Sequence, residues 1–212
     1  MSKNKVLHKV YCAKRSCVYA VLFGFFVCAQ SIAVFGKDGK EGKDSKSADP
    51  TPDNVSEVIK FQWSDHSKLS WDDFRGPVNA ETDESAAATH CSIGFVTNNA
   101  GPGNKFTITV YNTFYTNKSW VRPDAKLPGI LEHEQGHFDL CEIYTRKLRN
   151  RMANFDYTVK DIKQALMAIY SEISQEYENR QQAYEQETTH GVNIPQQKKW
   201  SNAIAGELAA SL

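Results

Sequence analysis

The chain has 212 residues, 25 of them basic and 25 acidic, and so carries no formal net charge. That length suits one domain with accessory segments. Five of the basic residues (Lys3, Lys5, Lys9, Lys14 and Arg15) and no acidic ones fall in the first 33 positions. The remainder is therefore acidic, by about five charges, which argues against a nucleic-acid partner, since that would need a basic face.

The N-terminal region differs from everything after it. Residues 17–29 form an apolar run, CVYAVLFGFFVCA, behind the basic residues. A membrane span needs about 20 apolar residues, and this run is shorter. A basic start, a short apolar stretch and small residues after it describe a secretory signal peptide. Ser31 and Ala33 place the cut after Ala33, so residues 1–33 are expected to be the signal peptide. Lipidation at Cys28 competes with this, but Val27 before it is larger than such processing prefers. A retained N-terminal anchor is the other alternative. The expectation is an exported protein, periplasmic or secreted, that meets the membrane only through this segment. Residues 34–54 alternate charges with Gly, Ser and Pro, cannot bury a surface, and read as a flexible charged linker. Three of the five cysteines lie in the signal region. Cys91 and Cys141 remain, either as a disulfide of an exported protein or as two buried thiols.

The folded domain is expected over residues 55–212. Residues 57–63 (EVIKFQW) read as a first strand. Residues 69–78 mix aromatic residues with turn formers, and Gly76-Pro77 makes an ordered loop the better reading. Residues 86–98 and 105–115 alternate in period two around the turn NNAGPGN, which predicts an antiparallel hairpin. The second strand was expected to offer an edge to an extended peptide. After Pro128 the period becomes 3.6. Ile130, Leu131, Phe138, Cys141, Leu148 and Met152 mark a helix over residues 127–150. A second helix is expected over residues 158–184, capped by Thr158, with Val159, Ile162, Leu166, Ile169, Ile173 and Tyr177 on its apolar stripe. Gly191 ends it, and a weak last helix follows. Strands followed by helices give an α+β class: a small antiparallel sheet packed on two long helices.

The first helix carries HEQGH, residues 133–137. His133 and His137 lie one turn apart on one helix face and can offer imidazole nitrogens to a single ion. A catalytic zinc takes three protein ligands and a water. Glu134 can serve as general base towards that water, the logic of the HExxH motif. A solvated helix that happens to carry two histidines is the bland reading, but a structural zinc or a charged surface would have no need of Glu134. The third ligand must come from elsewhere. Glu172 and Glu176 on the following helix are candidates, as is His190 beside Gly191. His66 and His90 read as surface or supporting histidines, and the tryptophans and Phe74 as packing. The run RKLRNR, residues 146–151, reads as a solvated helix end.

The blocks LSWDDFRG, LEHEQGHFDLCEIYTRKLRN and YEQETTHGVNIPQQKKW together resemble the bacterial secreted zinc-dependent protease family known as domain of unknown function 922. The resemblance spans about residues 55–200. It implies a zincin-like metallopeptidase domain with Zn2+ as cofactor, His133 and His137 as ligands and Glu134 as catalytic residue. The third block is similar to a family pattern Y-D-x-x-T-x-H-G, which implies His190 as third ligand. Glu185 stands where that pattern has Asp, which weakens a role for the carboxylate. The expected activity is hydrolysis of peptide bonds in a peptide or protein substrate. The alternatives are a noncatalytic envelope zinc-binding or interaction module, and an amidase acting on cell-wall peptide.

Overall fold

The computed structural model describes residues 60–78, 85–98, 107–156 and 158–210. The expected signal peptide and linker lie outside the described residues. Among the described residues, five strands and three helices make a mixed α/β fold with small antiparallel sheets. The strands are β1 (Lys60–Phe61), β2 (Ala87–Ala88), β3 (Cys91–Asn98), β4 (Thr107–Tyr115) and β5 (Trp120–Val121). The helices are α1 (Pro128–Ala153), α2 (Ile162–Thr188) and α3 (Ile194–Ala210). Among the described residues, no helix is long and apolar enough to cross a membrane.

The expected hairpin is present. β3 and β4 pair from Cys91 opposite Phe114 to Asn98 opposite Thr107. The single strand expected over residues 86–98 is broken, however. Thr89 and His90 part it into β2, which pairs with β5, and β3, which pairs with β4. The sheet order is β1-β4-β3, so β4 is the central strand and β3 is an outer one. β1 covers only Phe114 and Tyr115 of β4, so the expectation of a free edge on residues 105–115 is corrected at that end of the strand alone. The loop over residues 69–78 is ordered, with a 3-10 turn at Trp71–Asp73.

The sheet is fastened to α1 by aromatic packing. Phe114 and Phe138 are fully buried, with ring centroids 5.3 Å apart. Phe61 stacks on Phe114 at 4.9 Å, and Phe74 meets the same ring edge-on at 5.6 Å. Alternation puts Asn112 on this buried face of β4 as well. Its side chain accepts a 2.7 Å bond from the Trp63 backbone N–H and donates to Glu142. Glu142 also receives Arg146 Nε, whose guanidinium lies over Trp63 and reaches the Leu208 carbonyl. Arg146 is thus a half-buried tie among β4, α1 and α3 rather than part of a solvated helix end.

α2 runs antiparallel to α1. His137 faces Gln181, Lys147 pairs with Glu176, and Arg151 pairs with Glu172. The cap of α2 is Asp161, which accepts the Gln164 N–H at 2.9 Å. Thr158 does not cap the helix, because its backbone N–H and hydroxyl both bond to Asp156. The helix also runs four residues beyond the expected end, to Thr188. α3 is a full helix of 17 residues rather than a weak one. It lies against the other two through Leu140, Tyr184, Trp200 and Ile204.

Removing the Phe114 ring leaves a cavity where three other aromatic rings meet. Phe114→Ala is expected to lower unfolding stability by about 3–5 kcal/mol in chemical denaturation. A loss under about 1 kcal/mol would contradict this core assignment.

Candidate metal centre

α1 carries His133, Glu134 and His137 in one turn, and antiparallel packing sets the C-terminal half of α2 opposite them. Gln181 and Glu185, themselves four apart, share the facing turn. Glu185 Oε2 lies 2.8 Å from His133 Nε2 and 3.1 Å from His137 Nε2, and the two Nε2 atoms are 3.1 Å apart. Among the described residues, His133, His137 and Glu185 form the one group whose ligand atoms could hold a metal ion, all within 4.8 Å of one another.

The opposite ring nitrogens are held by amide oxygens. His137 Nδ1 meets Gln181 Oε1 at 2.6 Å, and His133 Nδ1 meets Gln197 Oε1 at 3.1 Å. The amide orientations follow from their other ends. Gln181 Nε2 donates to the His137 carbonyl, and Gln197 Nε2 donates to the Tyr184 hydroxyl, which donates in turn to the His133 carbonyl. Each imidazole, when neutral, therefore carries its proton on Nδ1 and turns the lone pair of Nε2 towards Glu185; when charged, it donates from Nε2 to Glu185 as well. This is the arrangement that supporting hydrogen bonds impose on metal-binding histidines. With both rings neutral, three acceptor atoms face one another, a cluster that a proton on one ring or a bound cation would relieve.

The titration behaviour has the same cause. Burial disfavours a charged His137, but Glu185 and Glu134 outweigh burial and raise its pKa to about 9. Burial likewise opposes a charged Glu185, yet hydrogen bonds from His133, His137 and His190 hold it well below the usual carboxylate range. Glu134 is 4 % exposed, and its Oε2 has no hydrogen-bond partner. Thr89 Oγ1 fastens the Glu134 carbonyl at 3.2 Å. A buried carboxylate oxygen without a partner, beside a convergent ligand trio, suits a water or substrate group that completes the site.

Small residues let this arrangement close. A Cβ on Gly136 would fall 2.2 Å from the Tyr184 hydroxyl, so the missing side chain makes room for the Tyr184 ring. That ring is fully buried and stacks on His133 at 4.8 Å. Gly191, at φ 77°, brings backbone against His133, where a Cβ would come within 2.9 Å of the His133 Cβ.

The candidate third ligands are placed as follows. Glu172 and Glu176 pair with Arg151 and Lys147, further along the helix pair. Glu176 is nine residues before Glu185, about 13 Å along the axis. His190 is outside the ligand group, with Nδ1 2.6 Å from the second oxygen, Oε1, of Glu185. His66 pairs with Asp73 on the surface. His90 joins β2 to β3, and its backbone N–H donates to Ser119 Oγ. Cys91 and Cys141 are free thiols.

Sequence reasoning gives no role to Gln181 and Gln197, reads Tyr184 as packing, and meets Glu185 only as a departure from the family pattern. A signal was there for two of them. The apolar stripe of Ile169, Ile173 and Tyr177 continues at Gln181, Tyr184 and Thr188. A core stripe that turns polar marks a site where function overrides packing.

A family model described as bacterial protein of unknown function (DUF922) matches residues 70–191. The chain belongs to this family. The DUF922 match takes in α1, α2 and the turn up to Gly191, and so includes His133, Glu134, His137, Glu185 and His190. Gln197 lies beyond it. No curated protein and no solved structure matches the chain.

Gly136→Ala is expected to destabilise the protein by about 1–3 kcal/mol through overpacking against Tyr184. Gly206→Ala, where a Cβ meets open space in α3, is expected to stabilise by up to about 1 kcal/mol from helix preference alone. Equal signs for the two in thermal unfolding would contradict the packing account.

In metal-free protein, His137 should titrate near 9 by NMR, against an ordinary value of 6.5. Because its folded pKa is raised, the stability it contributes is complete below 6.5 and is lost as pH rises through about 9. Glu185→Gln should move the midpoint back towards 6.5. A midpoint near 6.5 in the unsubstituted protein would refute the coupling.

Proposed function

We propose that this DUF922 protein is an exported zinc-dependent hydrolase, most simply a peptidase with a zincin-like catalytic domain. The observation that supports it most is the convergence of two Nε2 lone pairs and a carboxylate oxygen beside the buried, unpartnered Glu134 oxygen. The donor set fits zinc: two imidazoles and one carboxylate is a catalytic zinc set that leaves a position for water. His133, His137 and Glu185 would hold the ion. When bound, zinc supplies a Lewis acid that polarises a carbonyl and makes water acidic enough to react at neutral pH.

The chain's own residues do the rest. Gln181 and Gln197 keep both Nδ1 atoms protonated and both rings in place. Tyr184 and Gly136 set the spacing of α1 against α2. Glu134 accepts a proton from the water that attacks the peptide carbonyl and returns it to the departing amine nitrogen. Tyr184 spends its hydroxyl on the His133 carbonyl and serves as packing. A noncatalytic zinc module would not need the Glu134 carboxylate, and its buried, unpartnered oxygen would then be an uncompensated cost.

Glu134→Gln is expected to bind one equivalent of zinc with near-wild-type affinity and to hydrolyse a peptide library at least about 100-fold more slowly, the scale of a lost general base. Removal of zinc by chelation should abolish turnover in the unsubstituted protein, and added zinc should restore it. Wild-type turnover in Glu134→Gln, or turnover that survives chelation, would overturn the mechanism.

A further inference from the structure

The turn after α2 has an unusual backbone. Thr189, His190 and Gly191 take φ values of 51°, 55° and 77° in succession. A helix commonly closes with one left-handed residue, and that residue is usually Gly. Here two side-chain-bearing residues precede the Gly, and the first is β-branched, for which a positive φ is a genuine outlier. Strain of this kind persists where the surroundings impose it, and it clusters at functional sites.

The strained turn has two results. Gly191 is laid against His133, as described above. His190 is bent back over the last turn of α2. Its backbone N–H donates to the Glu185 carbonyl at 3.1 Å, and its Nδ1 meets Glu185 Oε1 at 2.6 Å. Burial does not account for this placement, because the His190 side chain is 68 % exposed.

Glu185 needs such a partner. It is a long side chain, 36 % exposed, at the end of a helix. Its Oε2 is directed at the two histidines, while Oε1 faces outward. Nothing on α1 holds Oε1. Without a donor there, the carboxylate is free to rotate and leave the histidine pair.

We propose that His190 is a positioning residue for a carboxylate ligand: it donates Nδ1–H to Glu185 Oε1 and so presents Oε2 to the metal, without itself coordinating. The proposal rests on the metal-centre reading given above. It assigns the strained turn a purpose, and it divides the pair that follows Tyr184 into a ligand, Glu185, and its support, His190.

The test is metal binding by the full chain, freed of metal and titrated with Zn2+ against a chromophoric chelator. Unfolding temperature serves as the fold control. His190→Ala is expected to keep its fold and its single site but to bind about 10–100-fold more weakly, the usual cost of losing a supporting bond. His190→Gln, which retains an N–H donor, should recover part of the loss. Glu185→Ala should lose more than His190→Ala. In the Co2+-loaded unsubstituted protein, proton NMR should show two strongly shifted, exchangeable imidazole N–H signals, from His133 and His137. Failure of the unsubstituted protein to bind one equivalent of Zn2+ or Co2+ would defeat the metal-centre reading itself. Binding with unchanged affinity in His190→Ala would overturn the positioning role alone. A third strongly shifted imidazole signal, lost in His190→Ala, would make His190 a ligand and also overturn it.

Discussion

The structure depends on one electrostatic constraint: when both rings are neutral, three acceptor atoms, from His133, His137 and Glu185, face one another. Left alone, such a cluster is repulsive and would splay apart. It holds because the Nδ1 edges are occupied by Gln181 and Gln197 and because the missing positive charge can be supplied. A proton on His137 supplies it in the metal-free protein, which is why that imidazole is raised to about 9. Under the proposed function a divalent cation would supply it instead, meeting all three lone pairs at once. The raised histidine and the depressed carboxylate are two expressions of the same unmet charge.

Helix packing makes the constraint tolerable. The antiparallel pairing of α1 and α2 puts one i,i+4 pair, His133 and His137, against another, Gln181 and Glu185. α3 completes the enclosure with Gln197, while Trp200 packs on Tyr184 at 5.3 Å. On the far side of α1, the Phe114 and Phe138 rings hold the helix to the sheet, so the residues of HEQGH are mounted on a fixed element. Buried polar atoms are costly unless bonded. Here they are bonded in a closed chain from Gln197 through Tyr184 to the His133 carbonyl, and from Gln181 to the His137 carbonyl. The exception in this cluster is Glu134 Oε2, which has no hydrogen-bond partner.

Much of this was legible in the sequence. Periodicity located the hairpin and both long helices, because β4 alternates strictly and α1 and α2 each have one apolar stripe. HEQGH placed His133 and His137 on one helix face from spacing alone. The completing residues were harder to read. Glu172 and Glu176 looked suitable as helical carboxylates, but the choice depends on how α2 slides along α1, and no local pattern sets that register. Glu185 stands where the family pattern has Asp, and its place beside both Nε2 atoms depends on the same register. Gln197 comes from a helix whose strength was underestimated and meets His133 only through the tertiary fold. Thr158 looked like a cap by its spacing, but Asp156 engages its backbone N–H and hydroxyl, and Asp161 takes over. The break at Thr89 and His90, which parts one expected strand into two sheets, likewise follows from pairing with β5 and not from the strand's own sequence.

The most direct test of the ligand set is a crystal structure of the zinc-loaded protein with anomalous data collected on both sides of the zinc edge. The account predicts a single full-occupancy zinc peak bonded to His133 Nε2, His137 Nε2 and a Glu185 carboxylate oxygen, with Gln181 and Gln197 on the two Nδ1 atoms. A zinc peak bonded to the two histidines and His190, with Glu185 turned away, would contradict it, as would no peak at this site.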